Sequence, residues 1–189
     1  MRGWVKVFLI MILLPILIGG VVLLLAGRPV AFEILRRRTA SKFPDVKWIS
    51  TQDLARWRQD SGQPQAVILD ARTPPEFELS HLKGAIPIDP YRPSLKPVQG
   101  FPRDTSIVVY SSVGYRGARV ASWLTKAGYP NGLNLSGGLF QWVNEGNPIF
   151  REEGRPAAQV HPYDRKWGML LEGRYRAQAA EVAEQSAAP

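Results

Sequence analysis

The chain has 189 residues, with 24 Lys and Arg against 16 Asp and Glu, a formal net charge of +8. It holds no cysteine and two histidines, which excludes disulfides, Cys–zinc centres and a cysteine nucleophile, and leaves little material for a transition-metal site. A balance this basic implies an anionic partner, nucleic acid or a membrane surface, and the placement of the charge decides between them.

Val7 to Ala26 is an uncharged run of 20 residues. As a helix it would extend roughly 30 Å, the thickness of a bilayer core. A signal peptide would have a shorter apolar region ending in a small-x-small site, and Leu24-Leu25-Ala26 is a poor site of that kind. Residues 1–27 are therefore expected to be a retained single-pass anchor. Arg2 and Lys6 precede the run, whereas Arg28, Arg36, Arg37, Arg38 and Lys42 follow it. The excess on the C-terminal side puts the soluble part in the cytoplasm by the positive-inside rule. Residues 28–44 then form a basic juxtamembrane linker, either a helix lying at the lipid interface or a solvated charge cluster. Membrane lipid is thus the expected partner of the charge, and no nucleic acid is expected.

A folded domain is expected over 45–150. Val46 to Ile49 reads as a strand, and Ser50 as the N-cap of a helix over Thr51 to Arg58. A second strand runs from Ala66 to Leu69 and ends at Asp70-Ala71-Arg72. Pro74-Pro75 opens a short helix through Leu79, and Ala85 to Ile88 is another strand. Asp89 to Asp104 is proline-rich and polar, a surface excursion. Ile107 to Tyr110 is a β-branched run suited to a central strand covered on both faces. A loop over Ser111 to Arg116 follows, then an amphipathic helix from Gly117 to Lys126 that stops at Gly128-Tyr129-Pro130. Leu133 to Leu135 closes the strand set, and Gly138 to Asn144 forms a last helix. Short strands alternating with short helices give an open, mostly parallel α/β sheet. Residues 151–189 form a C-terminal tail, partly packed and then disordered.

Ligands of such sheets lie beyond the carboxyl ends of the strands, where Ser111–Arg116 and Asp70–Arg72 fall. Small residues and Gly114 let the loop curl so that backbone N–H groups point inward at a helix N-terminus, a setting that favours anions. Arg116 supplies a fixed cation. Ser112, Val113, Gly114, Tyr115 and Arg116 are the candidate anion-binding residues, with Ser111 at the head of the loop. Asp70 and Arg72 support it, either by binding substrate or, as favoured here, as an ion pair that holds the neighbouring loop. Trp123 and Trp142 are expected in the core.

Four motifs in order resemble the single-domain rhodanese homology module over Ala66 to Ile149. They are Val67-Ile68-Leu69-Asp70-Ala71-Arg72 followed by Glu76-Phe77; Ser80 to Ile88; Val108-Val109-Tyr110 with its loop; and Leu135-Ser136-Gly137-Gly138 through Trp142, followed by Gly146-Asn147-Pro148. The resemblance implies a sulfurtransferase fold whose loop carries a nucleophilic cysteine, and no cofactor. Position 111 takes the nucleophile's place, and here it is serine. A thiol is ionisable in such a loop, with a pKa reducible to roughly 3.5–7.5. Serine stays protonated, and an O–S bond does not store the transferred atom. The expectation is an inactive module that binds an anion or a protein. Two readings stand beside it: a sulfurtransferase in which Ser111 replaces an encoded cysteine, and a structural membrane adaptor. His81, in the family pattern, belongs to a structural turn.

Overall fold

The computed structural model describes residues 11, 13–15 and 27–178. Apart from residues 11 and 13–15, the apolar run Val7–Ala26 lies outside the described residues, as do tail residues 179–189. Among the described residues no helix is long and apolar enough to cross a membrane.

Five parallel strands form one sheet: β1 (Lys47–Ile49), β2 (Val67–Asp70), β3 (Ile86–Pro87), β4 (Ile107–Tyr110) and β5 (Gly132–Leu135), in the order β1-β5-β4-β2-β3. Successive side chains alternate between its faces. Ile68, Val108, Tyr110 and Leu135 join one apolar cluster, while Leu69, Ile107 and Val109 join the other. All four residues of β4 are buried, as a centre strand covered on both sides requires.

The helices are α1, described over residues 27–42; α2 (Thr51–Gln59); α3 (Pro74–Leu79); α4 (Tyr115–Lys126); and α5 (Gly138–Asn144). Ser50 caps α2, its hydroxyl accepting the Asp53 N–H at 3.0 Å. Ala118, Val120, Ala121 and Leu124 of α4 face one cluster; Leu139, Phe140 and Trp142 of α5 face the other. Trp142 is buried and Trp123 half-buried against the core, as expected.

Three segments outside the sheet and its helices pack on the domain. The segment read as a linker is helical, and Phe32 of α1 is 5% exposed in the cluster it shares with Leu54 and Leu139. Val30 and Ile34 of the same helix remain exposed. The tail packs in the same cluster through Val160 and Leu171, both fully buried. Asn144 clamps it from both sides: its Nδ2 donates to Leu170 O at 2.7 Å, and its Oδ1 accepts the Glu172 N–H at 2.9 Å. The 89–104 excursion has no helix or strand but is anchored, since Val98 is fully buried and its carbonyl accepts the Tyr129 hydroxyl at 2.9 Å.

The central strand is followed outward to β2 and β3 on one side and to β5 and β1 on the other. The chain therefore changes direction across the β4/β2 boundary, and the loops after those two strands flank a crevice at their carboxyl ends.

Candidate functional site

The loop after β4 is held from below by α5. The Leu139 N–H donates to Ser111 O at 2.8 Å, and the Phe140 N–H to Ser112 O at 3.0 Å. This approach requires Gly138, where a Cβ would lie 2.2 Å from Ser111 O. On the other side, Asn134 Nδ2 donates to Gly114 O at 2.9 Å. Gly114 is the N-cap of α4 with φ 98°, a left-handed conformation natural to glycine. The Gly114 N–H donates to Ser111 Oγ at 3.1 Å, so one amide of the expected cradle is taken by the loop's own serine. Ser111 is 1% exposed.

Arg116 lies inside the first turn of α4, which begins at Tyr115, two residues before the expected start. It does not close the loop as an unpaired cation. Its Nη1 and Nη2 each donate to Glu76 at 2.7 Å, and Nη2 also reaches Ser112 Oγ at 2.9 Å. The Ser112 hydroxyl donates to Glu76 Oε1 at 2.8 Å. The Glu76 side chain is 1% exposed. Burial pushes its pKa up, but the Arg116 hydrogen bonds and charge, helped by Arg72 and the Thr73 N–H, outweigh this and lower it to about 2. The positive charge of Arg116 is therefore largely compensated. Glu76 is positioned by α3, where it also accepts the Thr73 N–H at 3.0 Å and the Thr73 hydroxyl at 2.7 Å.

Asp70 and Arg72 pair with each other at 2.6 Å, with both side chains fully buried. The Tyr110 hydroxyl donates to Asp70 Oδ2 at 2.5 Å, and Arg72 Nη2 donates to Ser80 O at 2.5 Å. Burial, reinforced by Asp70, holds the Tyr110 pKa well above its ordinary value, so its hydroxyl remains a donor. This network ties the ends of β2 and β4 to the 80–82 turn and leaves neither charge facing the crevice. His81 stacks on Phe77 with ring centroids 4.1 Å apart, and its Nδ1 lies 2.9 Å from Phe77 O. The other histidine, His161, accepts the Tyr163 N–H at Nδ1, 3.0 Å away. Both Nδ1 atoms are thus committed away from Ser111.

Above the loop lies a cavity of about 560 Å³, lined by Ser111, Ser112, Val113, Tyr115 and Arg116 from the loop and α4. The other walls come from segments read as appendages: Leu35, Arg38, Thr39 and Lys42 of α1, Tyr91 of the excursion, and Tyr163 and Trp167 of the tail. The ring of Tyr163, whose φ is +65°, lies 4.9 Å from the Arg116 guanidinium carbon. Lys42 Nζ lies 5.2 Å from the Tyr115 ring. Sequence reasoning missed Glu76 as the partner of Arg116, although Thr73-x-x-Glu76 is a readable helix-start signature. It also missed the α1 and tail residues, for which only a weak signal existed: aromatic residues in an otherwise polar tail.

An open parallel sheet with a nucleophile-type loop running from its central strand into a helix N-terminus defines a single α/β loop-site domain. The rhodanese-like domain profile matches residues 50–145, and the chain belongs to that family. A sulfurtransferase from Allochromatium vinosum is 28% identical over 109 residues, covering 58% of this chain and 99% of that protein. A probable adenylyltransferase/sulfurtransferase MoeZ from Mycobacterium tuberculosis is 32% identical over 102 residues, 53% of this chain but only 25% of that protein. A solved protein from Bacillus halodurans shares the fold, with a TM-score of 0.51 at 17% identity over 65% of this chain and 87% of that one.

Proposed function

We propose that this chain is a rhodanese-like module without sulfurtransferase activity, which binds an anion at the loop over Ser111 to Arg116 and is tethered to a membrane by Val7–Ala26 with the domain on the cytoplasmic side. The observation that carries the reading is serine at position 111, at the end of β4, where the family resemblance places the nucleophile. Its Oγ accepts the Gly114 N–H, which makes it a loop brace. An alcohol in this setting neither ionises nor stores a sulfane sulfur. The α4 N-terminus and the cavity beside it favour a negative ligand. The uncharged run and the basic residues after it support the tether and its orientation.

The test is a thiosulfate:cyanide sulfurtransferase assay on the full chain, paired with thiosulfate titration followed by amide shifts. Absence of turnover together with shifts at residues 112–116 is the expected result. Turnover would return the chain to the enzymes, and unmoved amides would leave an adaptor with a vestigial loop. For the tether, added protease should digest the domain in sealed inverted vesicles; digestion in spheroplasts instead would reverse the orientation.

A further inference from the structure

The cavity above the loop is larger than an inorganic oxyanion needs. At about 560 Å³ it falls in the range of small organic ligands, roughly 300–1,000 Å³. Its walls combine two features. Tyr91, Tyr115, Tyr163 and Trp167 give it an aromatic lining, and among the described residues no acidic side chain lines it. Arg38 and Lys42, one turn apart on α1, are exposed at its edge, and among the described residues neither forms an ion pair. The acid of that helix, Glu33, is engaged by Arg36 and Arg37 instead. Because Glu76 compensates Arg116, the uncompensated positive charge at the cavity belongs to α1 rather than to the loop.

We infer that the cavity takes a small organic anion, an aryl or alkyl phosphate, sulfate or sulfonate, with its apolar body against the tyrosines and Trp167 and its charged head between Arg38, Lys42 and the loop. This rests on the anion-binding reading and names the ligand class for it. Apolar burial supplies affinity, and the cation pair selects against the neutral analogue. Tyrosines that already carry a cation on one face, as Tyr115 does with Lys42 and Tyr163 with Arg116, hold that positive charge near the ring that an aromatic body would touch.

The experiment is isothermal titration calorimetry of the full chain with 1-naphthyl phosphate, 1-naphthol and inorganic phosphate. The same titrations are run on the Arg38→Gln/Lys42→Gln double variant and on Trp167→Ala. 1-Naphthyl phosphate should bind at least about tenfold tighter than either fragment. The double variant should lose about tenfold for 1-naphthyl phosphate and nothing for 1-naphthol. Trp167→Ala should weaken 1-naphthyl phosphate by about fivefold while leaving inorganic phosphate unchanged. Inorganic phosphate binding as tightly as 1-naphthyl phosphate overturns the inference and leaves the anion-binding reading standing. So does full affinity for 1-naphthyl phosphate in the double variant. 1-Naphthol binding as tightly as its phosphate overturns the inference, because charge then selects nothing. Failure of both anions to bind overturns the anion-binding reading and the inference with it.

Discussion

Replacing Arg116 by methionine tests the buried pair that sets the loop's charge. Glu76 is 1% exposed and bonded to Arg116 at 2.7 Å through both carboxylate oxygens. Its pKa is lowered from 4.5 to about 2. At about 1.4 kcal/mol per pH unit, that difference contributes about 3 kcal/mol to folding at neutral pH. The sign follows from the depressed folded pKa: the contribution is complete above the unfolded value of 4.5 and is lost as pH falls through about 2. In Arg116→Met the desolvation remains without its compensation, so Glu76 titrates above its unfolded value and its ionised form opposes folding. Urea unfolding should show a loss clearly above about 3 kcal/mol at pH 7, falling toward about 3 kcal/mol near pH 4, where Glu76 is protonated in the variant but still ionised and paired in the parent chain. Adding Glu76→Gln to Arg116→Met should recover most of the stability at pH 7. A loss that is equal at both pH values, or below about 1 kcal/mol at pH 7, would refute the claim that Arg116 holds Glu76 ionised.

Ser111→Cys should gain the first sulfurtransferase half-reaction. The thiolate attacks the outer sulfur of thiosulfate, a new S–S bond forms, the old one breaks and sulfite leaves with its electron pair; intact mass should rise by one sulfur atom, and an unmodified mass with an unperturbed thiol would count against an anion-favouring loop. Phe32→Ala should cost about 3 kcal/mol by thermal or urea unfolding, whereas a negligible effect would mean that α1 is not part of the core. His161 should titrate below its ordinary 6.5, because burial outweighs the attraction of Glu76 and the nearby arginines add to the depression. Its NMR titration should show a neutral ring at pH 7, with its share of stability falling once the pH drops below 6.5.

Local chemistry explains what was readable in the amino-acid order. The helices over Pro74–Leu79 and Gly138–Asn144 have the expected bounds, because prolines and glycines act within a turn of where they stand. The apolar run Ile107–Tyr110 was legible as a centre strand, since a short β-branched run suits a strand buried on both faces better than a helix. The ion pair between Glu76 and Arg116 was not legible. It joins residues 40 apart, and nothing in either local pattern favours one partner over another. That Arg116 shares its charge with a carboxylate was illegible for the same reason: the carboxylate from α3 reaches it only when β2 and β4 lie side by side. The apolar residues of the tail and α1 did not say which of them would meet the domain; Phe32, Val160 and Leu171 are the ones buried in its cluster, with Ala157, Trp167, Leu170 and Tyr175 packed against it.

The cavity is assembled from two kinds of sequence. Its floor belongs to the stretch shared with relatives, residues 50–145, while Arg38, Lys42, Tyr163 and Trp167 stand outside it. A family likeness over the floor alone therefore carries no information about what those walls admit. Grafting residues 27–42 and 158–178 onto a relative's loop would transplant a preference without touching the chemistry beneath it.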